Sequence, residues 1–145
     1  MRAATAEESI LTRDLLIPLL VLTFGPLAVR ADDRSESHIE PSELLRKIEA
    51  GDAPTVVDVR SRREFDKGHV PGALHIPFWA ALSRSSDLPT PRDSPIVLYC
   101  EHGPRAGVAK AAFRLSGFEQ VLYLDGHMSG WKKAGLPLEG SIPSR

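Results

Sequence analysis

The stretch VLYCEHGPRAGVAKAAF, residues 97–113, decides the fold of this chain. With Ile96, its first three residues form an apolar run without polar alternation, as expected of a strand buried on both faces of a parallel sheet. From Arg105 to Leu115 the pattern becomes helical, with Val108, Ala111, Ala112 and Leu115 on one face and Gly117 as the stop. Between the two stands Cys100, the only cysteine in the chain, followed by a tight turn through Gly103 and Pro104. A strand that runs through a short turn into a helix is half of a βαβ unit.

The same alternation continues on either side. Pro41 opens a helix with Leu44, Leu45 and Ile48 on its apolar face, and Gly51 ends it. Thr55–Val59 is a second unbroken β-branched strand, and Ser61 with Glu64 three residues on is a capping box for a short helix that Gly68 closes. Leu74–Ile76 reads as a short strand, Pro77–Leu82 as a helical turn or two, and 83–95 as a polar, proline-punctuated loop. Val121–Leu124 is a third apolar strand, and a last short helix runs from Trp131 to Ala134 before Gly135. Strands alternating with helices predict an α/β domain with a mostly parallel sheet and right-handed crossovers.

Composition narrows the function. A chain of 145 residues holds one domain with a substantial core, and 42% hydrophobic with 26% charged residues is ordinary for a globular protein. A net charge of -1 gives no electrostatic footprint for nucleic acid. With one cysteine there is no internal disulfide, and the five histidines lack the spacing of a metal site.

The head of the chain is a separate segment. Leu15–Phe24 (LLIPLLVLTF) is uncharged and apolar, and Val29-Arg30-Ala31 places small residues where a signal peptidase cuts. The expectation is an exported, periplasmic protein cleaved after Ala31, or a membrane anchor facing the periplasm if the segment is retained. Glu7, Glu8 and Asp14 offset Arg2 and Arg13, against the positive charge usual before such a run. Residues 32–38 read as a linker, 39–140 as the domain, and 141–145 as a tail.

From its count alone, Cys100 is either a reactive thiol or a small buried hydrophobe. Its position favours the first, because ligands of open parallel sheets bind beyond the carboxyl ends of the strands. Amides of a curled loop entering a helix converge on one point and favour negative charge, so a thiolate or persulfide at Cys100 is stabilised there, with Arg105 in support. A thiolate phosphatase needs a wider cradle, with its arginine six residues after the cysteine, where this chain has Ala106. Arg105 stands five after Cys100 and closes a smaller ring, suited to one sulfur atom.

The segment CEHGPRA, residues 100–106, resembles the active-site loop of single-domain rhodaneses, the thiosulfate sulfurtransferase family. VVDVRSRREFDKGHVPGALHIP, residues 56–77, is similar to that family's first signature, and LDGHMSGWKKAGLP, residues 124–137, to its closing one. The similarity covers about residues 39–138, with His127 replacing the second of a usual glycine pair. The resemblance implies a three-layer domain, a mostly parallel central sheet flanked by helices on both faces. It implies Cys100 as nucleophile, and substrate binding by Arg105 and by the loop Glu101, His102, Gly103 and Pro104 through backbone amides, Pro104 excepted. Asp58 and Arg60 are implied to hold the loop and the strand end together, and Trp131 to pack the core. His127, beside the cysteine, is expected to narrow the pocket, to donate to the substrate's oxyanion, or to face solvent. Glu101, an acid next to the thiolate, is expected to oppose its stabilisation.

The implied reaction moves a sulfane sulfur from a small anionic donor such as thiosulfate to cyanide, a thiol or a protein acceptor, with no metal or organic cofactor. The alternative is a module of the same fold that carries sulfur or binds partners without turnover of its own.

Overall fold

The computed structural model describes residues 37–140. The expectations for the segment 1–31, for residues 32–36 of the linker and for the tail 141–145 lie outside the described residues. Among the described residues, no helix is long and apolar enough to cross a membrane.

In chain order the elements are β1 (His38–Ile39), α1 (Pro41–Ala50), β2 (Thr55–Asp58), α2 (Arg62–Asp66), β3 (Leu74–His75), β4 (Ile96–Tyr99), α3 (Pro104–Leu115), β5 (Val121–Leu124) and α4 (His127–Lys133). Short 3-10 turns lie at Phe78–Ala80 and Ser85–Asp87. The five strands form one sheet in the order β1-β5-β4-β2-β3, with every pairing parallel. The expected α/β architecture is therefore present.

Each central strand buries both of its faces, which is why the sequence shows runs and not alternation. Val57, Ile96 and Leu98 point to one side and pack with Ala106, Ala109 and Phe113 of α3. Val56, Val97 and Tyr99 point to the other and pack with Leu44 of α1 and with Met128 and Trp131 of α4, Phe65 of α2 joining them. The result is three layers.

Three expectations change. His38, read as the last linker residue, is in β1, paired with Tyr123; a two-residue edge strand has no periodicity to detect. Helix α4 begins at His127 and not at Trp131. Two glycines in GHMSG read as loop, but burying Met128 and Trp131 together, three residues apart, outweighs that propensity. The buried face of α3 is Ala106, Ala109 and Phe113, whereas Val108 is exposed and Leu115 is 81% exposed. An alanine-rich helix has several plausible apolar faces; Phe113 decides, because burying a side chain of its size is worth about 1.5–3 kcal/mol.

The sheet order positions the site. From β2 the chain crosses by α2 to β3, and from β4 by α3 to β5, in opposite directions across the sheet. The carboxyl ends of neighbouring β2 and β4 thus form the topological switch point where such folds bind ligands. Asp58–Arg60 and Cys100–Arg105 are the residues that stand there.

Candidate functional site

Cys100 follows β4 directly, and its sulfur lies beneath the loop that turns into α3. It is 1% exposed and contacts the same apolar cluster as Val59 and Ala106, deeper than a residue on an open rim. Yet the sulfur is not a mere hydrophobe. The Gly103 N–H donates to Cys100 Sγ at 3.0 Å. That bond requires the chain to double back within three residues, and Gly103 does so at φ 123, a conformation closed to residues with a Cβ. Of the loop amides expected to converge on the sulfur, Gly103 is the one within hydrogen-bond distance among the described residues.

Arg105 lies in the first turn of α3 and is held by Glu64 of α2. Its Nη1 donates to Glu64 Oε2 at 2.7 Å and its Nη2 to Oε1 at 2.9 Å, a bidentate pair spanning two loops. The same carboxylate completes the expected capping box, accepting from Ser61 N at 3.0 Å and Ser61 Oγ at 2.6 Å. Hydrogen bonding from Arg105 pulls the Glu64 carboxyl far below its ordinary range, against the opposing effect of burial. Hydrogen bonding to Glu64 raises the Arg105 guanidinium in turn, and a nearby Cys100 thiolate adds to it. The arginine expected to support the thiolate and bind the substrate is therefore already paired with a carboxylate. Glu64 was visible in the sequence as a cap; its pairing with a residue forty-one positions away has no local signal.

Asp58 and Arg60 form a buried knot between β2 and the Cys100 loop. Arg60 is 1% exposed; its Nη2 donates to Asp58 Oδ2 at 2.7 Å and to the Gly68 carbonyl at 2.8 Å, and its Nε lies within 3.1 Å of both Asp58 oxygens. The Arg60 backbone N–H also donates to Asp58 Oδ1. The remaining Nη1 reaches Glu101 Oε2 at 3.0 Å. Burial alone would lower the Arg60 guanidinium; the hydrogen bonds and charge of Asp58, aided by Glu101, raise it instead.

Glu101 consequently does not stand free beside the sulfur. Lys132 of α4 holds its other oxygen at 3.1 Å, and between them Lys132 and Arg60 lower its carboxyl although burial acts to raise it. Two cations neutralise the one anion expected to destabilise the thiolate, a pairing invisible without the position of α4.

Helix α4 braces the loop residue by residue. Met128 N–H donates to the Cys100 carbonyl at 3.0 Å and Ser129 N–H to the Glu101 carbonyl at 3.3 Å. Ser129 Oγ pairs with His102 Nδ1 at 2.9 Å, which ties an otherwise exposed histidine to the brace. Trp131 is buried, and its Nε1 donates to the Pro137 carbonyl at 2.8 Å. His127 is half-buried: its ring lies against Gly103 and packs edge-on against Tyr123 at 5.9 Å. Pro104 is exposed at the start of α3, where its missing N–H leaves no unmet donor.

A parallel sheet with a cysteine loop at its switch point defines a class, and comparison with known proteins assigns the family. Residues 40–134 match the rhodanese-like domain, and the chain belongs to that family. It is 31% identical to a sulfurtransferase of Allochromatium vinosum over 70% of this chain and 94% of that protein. It is 40% identical to an HTH-type transcriptional regulator of Mycobacterium tuberculosis over 74% of this chain and 47% of the regulator. Of the curated relatives at 38% and 40% identity, it spans about half the length. The fold superposes on the rhodanese-like domain of an Anabaena protein with a TM-score of 0.66 at 32% identity, over 76% of this chain and 83% of that one.

Proposed function

We propose that this chain is a sulfurtransferase working through a Cys100 persulfide. The observation that carries the reading is the Gly103 N–H on Cys100 Sγ, a donor that strengthens as the sulfur gains negative charge. The Cys100 thiolate attacks the sulfane sulfur of an anionic donor such as thiosulfate. A new S–S bond forms as the donor's S–S bond breaks, and sulfite leaves with the electron pair. Cyanide, a thiol or a protein thiolate then attacks the outer sulfur and restores the thiolate, so the two half-reactions give ping-pong kinetics. Arg105, anchored by Glu64, supplies positive potential for the donor, and Gly103 holds the sulfur through both steps. The naming of the Allochromatium relative as a sulfurtransferase supports this reading. The apolar run at Leu15–Phe24 and the small residues at Val29 and Ala31 support export to the periplasm, by a cleaved or a retained segment.

The test is intact-mass analysis after incubation with thiosulfate, comparing wild type with Cys100→Ser. The expected result is a gain of one sulfur atom, absent from the variant and removed by cyanide. The depth of Cys100 favours a second reading, a sulfur carrier that turns over only with a partner protein. Turnover with thiosulfate and cyanide alone would discard it.

A further inference from the structure

His127 combines two unfavourable features. It is the one non-glycine residue with positive φ among the described residues, at 52°, where a Cβ is disfavoured. Its Nδ1 is buried with no hydrogen-bond partner among the described residues, which is also unfavourable. Glycine here would remove both penalties at once. Such an outlier points to a role for the ring.

The contacts of the ring show which role. A Cβ placed on Gly103 would lie 3.2 Å from His127 Nε2 and 3.6 Å from its Cδ2, so the imidazole sits against the Gly103 backbone. It also meets the Tyr123 ring edge-on, with centroids 5.9 Å apart. Tyr123 belongs to β5, a strand paired on both sides within the sheet. The ring is a wedge between a rigid strand and the residue whose N–H donates to the sulfur. Gly103 needs such a wedge, because without a side chain it moves freely among backbone conformations and carries its N–H with it.

We propose that His127 is a positioning residue whose ring buttresses Gly103 and so keeps the Gly103 N–H on the Cys100 sulfur. The proposal rests on Cys100 being the reacting thiolate, and deepens that reading. The ring acts by bulk and not by its nitrogens, in keeping with its unpartnered Nδ1.

The test measures the iodoacetamide alkylation rate of Cys100 against pH, with urea unfolding alongside, in wild type, His127→Gly, His127→Asn and His127→Phe. In His127→Gly the pH midpoint of alkylation rises by about 0.5–1 unit, and the rate below the midpoint falls roughly threefold to tenfold, as expected when a charge-assisted bond is loosened. The unfolding midpoint stays level or rises, since both penalties are gone. His127→Asn, tolerant of positive φ but too short to reach Gly103, behaves as His127→Gly. His127→Phe, which restores the wedge without nitrogens, returns the midpoint toward wild type. An unchanged profile in His127→Gly overturns the proposal, and so does His127→Phe shifting as far as His127→Gly. Alkylation needs no sulfur donor, so a protein that takes no sulfur from thiosulfate still reports on the wedge.

Discussion

Replacing Arg60 by methionine tests the energetics of the site most sharply. The substitution keeps an unbranched apolar stem and removes the guanidinium. Asp58, fully buried, then loses its cation and every Arg60 side-chain donor, while the Gly68 carbonyl and Glu101 each lose one. Breaking a buried pair from one side costs about 3–5 kcal/mol, because an uncompensated charge is left in the interior. Against a total stability of about 5–15 kcal/mol for a domain, this is a large share. The melting temperature falls by roughly 15–30 °C for a domain of this size. The assay is urea unfolding followed by far-UV circular dichroism, with Asp58→Leu and the double variant Asp58→Leu/Arg60→Met beside it. The double variant recovers much of the loss, since two apolar groups replace a buried pair at little net cost. The Gly68 carbonyl and one oxygen of Glu101 still lack their Arg60 donor, so recovery is incomplete. A loss under about 1 kcal/mol in Arg60→Met, or a double variant as destabilised as the two singles summed, would refute the argument.

The face of α3 yields a paired test: Phe113→Ala loses about 3–5 kcal/mol, whereas Leu115→Glu stays within about 0.5 kcal/mol, and equal losses by denaturant titration would contradict the packing. Ser61→Ala removes the α2 cap and costs about 0.5–2 kcal/mol; it also takes one of the donors from the Glu64 carboxylate that holds Arg105, so the apparent KM for an anionic donor shifts while Cys100 alkylation is unchanged. Burial, reinforced by His38 and His102 and opposed by Asp125, lowers the His127 imidazole below its ordinary value. The unfolded chain therefore takes up a proton before the folded one does, and stability declines as pH falls below about 6.5. Thermal melts between pH 7.5 and 5.5 show this slope in wild type and a shallower one in His127→Gly. Glu64 and Glu101, both lowered by cationic partners, add a second loss of stability as pH falls through the ordinary carboxylate range, measurable as a further drop in melting temperature near pH 4.

Those features of the molecule that depend on neighbours in sequence were legible before any coordinates. Unbroken apolar runs mark β2, β4 and β5, the Ser61–Glu64 box marks α2, and Cys100 between strand and helix marks the switch point. What escaped depends on neighbours in space. The choice of Phe113 over Leu115 was made by the sheet surface that α3 meets. The pairing of Glu101 with Arg60 and Lys132 joins three segments that no spacing rule connects. Glu64 was read as a cap and proved also to be the partner of Arg105, because a carboxylate has acceptor sites to spare after capping. The depth of Cys100 was missed for the same reason: the walls around it, Val59 and Ala106 among them, come from different elements.

The bonds from Met128 and Ser129 to the carbonyls of residues 100 and 101 also bear on biosynthesis. A nascent chain that has emerged only through residue 115 already has β2, β4, α3 and the Gly103 donor to Cys100, yet the carbonyls of residues 100 and 101 still lack their partners from α4. The brace on the Cys100 loop is completed by some of the last residues of the domain to be made, so a ribosome stalled upstream displays a chain with β2, β3 and β4 but with that loop unbraced by α4.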